Sequence, residues 1–169
     1  MARRYRIIGI ALAGTATLVV AGVLASNYAR SDAPAQPLAF SHKLHAGERK
    51  IGCLYCHSYA RRSPVAGVPS VQLCLGCHNN MQSDHPEIQK LKTYWDEKEP
   101  IPWNRVYATP DFVHFNHKRH VRAGVACQTC HGPVETMAQV RRVSSLEMGW
   151  CLQCHRERQA SVDCATCHY

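Results

Sequence analysis

The sequence predicts a mostly irregular fold of short α-helices behind one N-terminal transmembrane helix, with a core not made of its own side chains. Three observations predict it. All ten cysteines fall into five Cys-x-x-Cys-His pentads, and none is left over. Only three Phe and three Trp occur in 169 residues, thin material for a conventional apolar core. One predominantly apolar run of nineteen residues, Ile7 to Ala25, stands near the N-terminus.

The first element is that run. As a helix it spans about 28 Å, against roughly 30 Å of bilayer hydrocarbon. Arg3, Arg4 and Arg6 precede it, so the positive-inside rule keeps the N-terminus cytoplasmic and sends the remainder outward. The run is long for the core of a cleaved signal peptide, and no small-x-small site follows at once. Residues 1–30 therefore read as a single-span anchor in the cytoplasmic membrane. The Pro/Ala-rich stretch 31–39 is a linker.

The pentads occupy the rest: Cys53-Cys56-His57, Cys74-Cys77-His78, Cys127-Cys130-His131, Cys151-Cys154-His155 and Cys164-Cys167-His168. This spacing is that of c-type haem attachment. Two thiols one helical turn apart can add to the two vinyl groups of one haem, and the adjacent His then meets the iron as proximal ligand. Zinc knuckles pair Cys-x-x-Cys units, but five do not pair and zinc needs no His after each. A thioredoxin-like redox pair occurs once within a βαβ pattern. A disulfide framework does not explain five following histidines, and iron–sulfur sites use other spacings. Five covalently bound haems are the expectation, and they supply the missing core. They also explain a pentad ending one residue before Tyr169, where a loose tail would fray unless tied down.

The haem domain, 40–169, repeats itself. "FSHKLHAGERKIGCLYCH" from Phe40 aligns with "FNHKRHVRAGVACQTCH" from Phe115. Each copy holds Phe-x-His-Lys-x-His, a short turn with Gly and a pentad, and a second pentad follows. This gives modules 40–78 and 115–155, a connecting segment 79–114 and an appended site 156–169. His42 and His45, like His117 and His120, are three apart and share one side of a helical turn. Two such residues cannot fill one vacant axial position, but they can serve two neighbouring haems. Five irons then still lack one distal ligand. His85, His114, Met81, Met137 and Met148 are the candidates, with Met148 favoured over Met137. Met/His ligation would raise that haem's potential.

The connecting segment predicts a helix over "DHPEIQKLKTYWDEKEP", bounded by Pro86 and Pro100, then an extended strap. Trp95, Trp103 and Tyr107 there would cover haem edges or form a docking surface. The formal charge of +8 ordinarily suggests an acidic partner. Ten haem propionates would offset it, so nucleic-acid binding is not expected.

The Phe-x-His-x-x-His arrangement resembles the class III multihaem cytochromes, in which such a motif serves different haems. The strings "FSHKLHAG", "PEIQKLK", "IPWNRVY", "FNHKRHVRAGVACQTCHGPVETM" and "LEMGWCLQCHRE", with the span and the five pentads, resemble the pentahaem subunit of bacterial alternative complex III. That resemblance covers almost the whole chain. It implies an electron carrier, not a catalyst by itself, with its haem domain on the periplasmic side. It further implies integral quinol-oxidising subunits, an iron–sulfur subunit and a monohaem cytochrome as partners, and a soluble final acceptor. The alternatives are a stand-alone quinol dehydrogenase of the small membrane-anchored multihaem type and a multihaem reductase. The reductase would need an open iron, often marked by a variant pentad ending in Lys, and none is present.

Overall fold

Short helices follow from the spacing of the breakers. No stretch between 40 and 169 runs more than fifteen residues without a Gly, a Pro or a pentad, and Cys and His are themselves indifferent helix formers. The computed structural model describes residues 14–22 and 33–169. A π-helical turn, Lys43–Glu48, comes first. α1 (Cys53–Cys56), a 3-10 turn (Ser58–Arg61), α2 (Val71–His78) and α3 (Pro86–Asp96) follow. α4 (His117–Arg122), α5 (Gln128–His131), a second 3-10 turn (Val134–Thr136), α6 (Met148–Glu157) and α7 (Cys164–Cys167) complete the order. Among the described residues there is no strand. The expected transmembrane helix lies largely outside them. Residues 14–22 are helical, and among the described residues no helix is long and apolar enough to cross a membrane.

Capping fixes where the longer helices begin. The Ser70 side chain accepts from the Leu73 N–H at α2, and Asn116 accepts from the Arg119 N–H at α4. Pro86 opens α3, and the His85 ring nitrogen Nδ1 accepts from the Glu87 N–H at 3.2 Å. His85 thus works as an N-cap.

The polypeptide buries little of itself. Among the described residues only Leu38, Ala60, Leu75, Leu91, Ile101 and Met137 are buried. Leu38, Leu75, Leu91 and Ile101 form one cluster, joined by Val71, Ile88, Tyr94 and Trp103. It holds α3 against α2, the helix of the second pentad.

The repeats grip one another reciprocally. α4 packs on the 3-10 turn after the first pentad, where Lys118 N–H donates to Ser63 O and His117 N–H to Pro64 O. The π-helical turn packs on the 3-10 turn after the third pentad, where Lys43 N–H donates to Met137 O. Ser63 stands six residues past His57, and Met137 six past His131. The two contacts are therefore the same contact made twice, related by a local pseudo-twofold.

One expectation needs refinement. The Gly shared by the turns of both repeats does not do the same job in each. Gly124, at φ +72°, supplies the left-handed residue in the second copy, whereas Lys50 at φ 57° supplies it in the first. Gly47 serves close approach instead. A Cβ there would overlap the Glu135 carbonyl across the reciprocal junction.

Candidate haem sites

The first, third and fifth pentads fold into single turns that close on themselves, and the second and fourth lie within α2 and α6. His57 N–H returns to Cys53 O, His131 N–H to Cys127 O and His168 N–H to Cys164 O, at 2.9, 3.0 and 2.9 Å. This turn sets both thiols and the following imidazole on one side, as attachment to one porphyrin requires. All ten thiols are unbridged.

The imidazoles then meet in twos. His42 faces His57 with ring centres 6.4 Å apart and planes 3° from parallel. His117 faces His131 at 6.3 Å and 7°. His45 faces His78 at 6.0 Å and 59°, and His120 faces His155 at 6.0 Å and 50°. A metal ion bound about 2.0 Å from one nitrogen of each of two imidazoles puts the ring centres roughly 6 Å apart. The four spacings fit one iron between each pair. Among the described residues no imidazole faces His168.

The other ring nitrogen fixes the tautomer. Nδ1 of His45, His57, His117, His120, His155 and His168 lies 2.6–2.9 Å from the carbonyls of Ser41, Gly67, Pro64, Asn116, Ser161 and Phe112. His78 Nδ1 is 3.2 Å from Met81 O. Donation of Nδ1–H to a carbonyl leaves Nε2 as the free, more basic ligand atom, the usual outer support of a metal-binding histidine. His42 departs from this pattern, its Nδ1 being buried without a partner. Burial first, then His57 and His45, lowers its pKa to about 4, so the ring is neutral and able to coordinate at neutral pH. Burial likewise lowers His131, helped by His117 and His57.

Two supports carry no signal in the pentads. Phe40 stacks on His45 at 4.4 Å and sets its edge on His42 at 4.8 Å. Phe115 does the same to His120 and His117, at 4.5 and 4.8 Å. One phenyl ring therefore orients both distal histidines of its module. The recurrence of Phe two residues before the first His was the signal available for it. Tyr107 sets its ring on His131 at 4.5 Å, donates from its hydroxyl to Arg141 O and accepts the Val143 N–H.

The remaining candidates are dispersed. Met137 is buried, with its carbonyl taken by Lys43. Met148, 61 % exposed, opens α6, and Met81 is also exposed. His114 stacks on Tyr169 at 4.4 Å, and its N–H donates to Cys167 O. Trp103 packs against the α2–α3 cluster, and Trp95 is exposed. An open depression of ≈ 530 Å³ beside the first pentad is lined by Leu54, Ser58, Arg61, Arg62 and Arg122. Its three guanidinium groups suit carboxylates such as haem propionates.

Residues 113–169 match the family described as cytochrome c7 and related cytochrome c. The chain is also 32% identical over 135 residues to the "Menaquinone reductase, multiheme cytochrome c subunit" of Nitratidesulfovibrio vulgaris. The match takes in 79% of this chain and 57% of that relative's length. With the pentads and the facing imidazoles, these likenesses lead to one conclusion: the chain carries covalently bound c-type haem and is a multihaem cytochrome c.

Proposed function

We propose that this chain is a pentahaem electron carrier of a membrane quinol oxidoreductase of the alternative complex III type. The carrying observation is that four pentad histidines each face a second histidine at 6.0–6.4 Å. Each such pair would supply both histidines that one haem iron takes, which suits one-electron exchange and leaves no place for a substrate. The chain's part is to hold and insulate. Cys53, Cys56, Cys74, Cys77, Cys127, Cys130, Cys151, Cys154, Cys164 and Cys167 would form the thioethers. His57, His78, His131, His155 and His168 would be the proximal ligands, and His42, His45, His117 and His120 the distal ones. Bound haem supplies one-electron redox chemistry at its iron.

For the fifth distal ligand we retain Met148 over Met137. Met148 lies one turn before Cys151, on the same face of α6, and Cys151 has Cys167 of the last pentad as a neighbour. Met137 holds the position that Ser63 holds in the other repeat, where its surroundings are those of a packing residue.

Residues 7–25 would anchor the domain on the periplasmic face of the cytoplasmic membrane. Integral quinol-oxidising subunits, an iron–sulfur subunit and a monohaem cytochrome would be the partners. The relative named a menaquinone reductase subunit favours a second reading, in which electrons run from the chain toward membrane quinone. Mild detergent purification separates the two. The first reading expects co-purifying integral and iron–sulfur subunits, and haem reduction by a quinol analogue. Haems that stay oxidised under quinol, but in the same complex deliver electrons to quinone from an added reductant, support the second. A chain that purifies alone sinks both complexes.

A further inference from the structure

The sites are numbered along the chain, but the contacts place them otherwise. The π-helical turn carries His42 and His45, which face the first and second pentads. α4 carries His117 and His120, which face the third and fourth. Each helical turn therefore makes one adjacent pair, first with second and third with fourth. The reciprocal junction joins the pairs through the turns directly after the first and third pentads. There Pro64 and Ser63 receive α4, Met137 receives Lys43, and Gly47 lies on Glu135. Cys53 of the first pentad is also an electrostatic neighbour of Cys127 in the third.

The outer flanks differ. Leu75, inside the second pentad, packs into the cluster with Leu38, Leu91 and Ile101, so α3 covers that side. The neighbour of Cys74 is Cys56 of the first pentad. At the opposite end the fifth pentad is tied to the segment leading into α4, by His114 N–H on Cys167 O and His168 Nδ1 on Phe112 O. Ser161 ties the fourth site to the fifth, its carbonyl meeting His155 Nδ1 at 2.6 Å and its hydroxyl meeting Thr166 of the last pentad at 2.8 Å, in keeping with the electrostatic closeness of Cys151 and Cys167.

We infer that the five haem sites form a single row in the order second, first, third, fourth, fifth, with the first and third at the junction and the second and fifth at the ends. The inference rests on the haem reading above and deepens it. Partners that exchange electrons with the chain must approach at the second or the fifth site, and the first site, although nearest the N-terminus, is interior.

Ring angles make the order measurable. The first and third sites have parallel imidazoles, at 3° and 7°, and the second and fourth have crossed ones, at 59° and 50°. Parallel and crossed bis-imidazole ferric haems give distinguishable electron paramagnetic resonance signals, and adjacent ferric haems broaden one another. Cys53→Ala with Cys56→Ala removes the first haem, and Cys74→Ala with Cys77→Ala removes the second. The row predicts that loss of the first haem leaves the second without a neighbour, so a sharp, uncoupled crossed-ring signal appears, whereas loss of the second isolates no haem, because the first still adjoins the third. A row in chain order gives the opposite: loss of the second isolates the first and yields a sharp, uncoupled parallel-ring signal, and loss of the first isolates none. That pattern overturns the inference. If the first-site variant does not fold, the second-site variant decides alone, since a sharp parallel-ring signal there contradicts the row and its absence agrees with it. Wild-type protein with fewer than five haems by mass would instead overturn the reading on which the row rests.

Discussion

Replacing Phe115 by Ala removes a ring that touches two distal histidines and no pentad. It stacks on His120 at 4.5 Å and meets His117 edge-on at 4.8 Å. Each aromatic contact of this kind is worth about 0.5–1.5 kcal/mol beyond area burial. Full truncation of a buried Phe costs about 3–5 kcal/mol, but Phe115 is only half-buried. The two considerations meet at about 2 kcal/mol. For a chain of this size that is a fall in Tm of about 4–8 °C. Denaturant unfolding of the haem-loaded protein, followed by haem absorbance, gives the same quantity as a midpoint shift. The haem count should not change, since the thioethers are untouched. With the phenyl ring gone both imidazoles can rotate, so one parallel-ring and one crossed-ring resonance should broaden or shift together. A loss below about 0.5 kcal/mol, with both resonances unaltered, would refute the idea that one ring orients two ligands.

The remaining predictions address separate contacts. Gly47→Ala forces a Cβ onto the Glu135 backbone and should cost about 1–3 kcal/mol, read as a lowered denaturation midpoint with all haems retained. Gly124→Ala, at φ +72°, should cost about 1–2 kcal/mol, read in the same titration; no change would mean that the turn relaxes. His120→Ala should leave every haem attached but open the iron at His155 to carbon monoxide. An unchanged carbon monoxide difference spectrum would remove His120 from the ligand set. Met148→Leu should abolish the near-infrared sulfur-to-iron band of the oxidised protein, and Met137→Leu should keep it. A wild type without the band would show that the fifth ligand is not methionine.

The haem chemistry was legible because it is written in short-range spacing. Cys-x-x-Cys-His must be contiguous to serve one porphyrin, and His42 with His45 must share one turn to reach two. The partner of each distal histidine was not legible. Each pair lies within one module, as His42 with His57 and His120 with His155 do, but which pentad each ring reaches is set by how the module folds and not by local spacing. Supports made by backbone carbonyls, such as Gly67 under His57 and Ser161 under His155, leave no mark on side-chain identity. Phe40 and Phe115 could be seen as repeated, but not as ring clamps until their distances to the imidazoles were known. The turn glycine misleads for a related reason. The left-handed position is equivalent in both copies, three residues before the first Cys of the pentad, but it is filled by Lys50 in one and Gly124 in the other, so residue type does not reveal it. His85 was readable only as the opening of a polar helix, since the bond from the Glu87 N–H to its ring is a matter of geometry.

On the proposed function, all five pentads hold haem through thioether bonds. Intact mass under denaturing conditions reads this out, because thioethers survive unfolding whereas zinc, disulfides and iron–sulfur clusters leave no porphyrin behind. One species heavier than the polypeptide by five haems, with no thiol left to alkylate, is expected. A bare polypeptide mass, or alkylation of any of the ten cysteines in a homogeneous preparation, would contradict it.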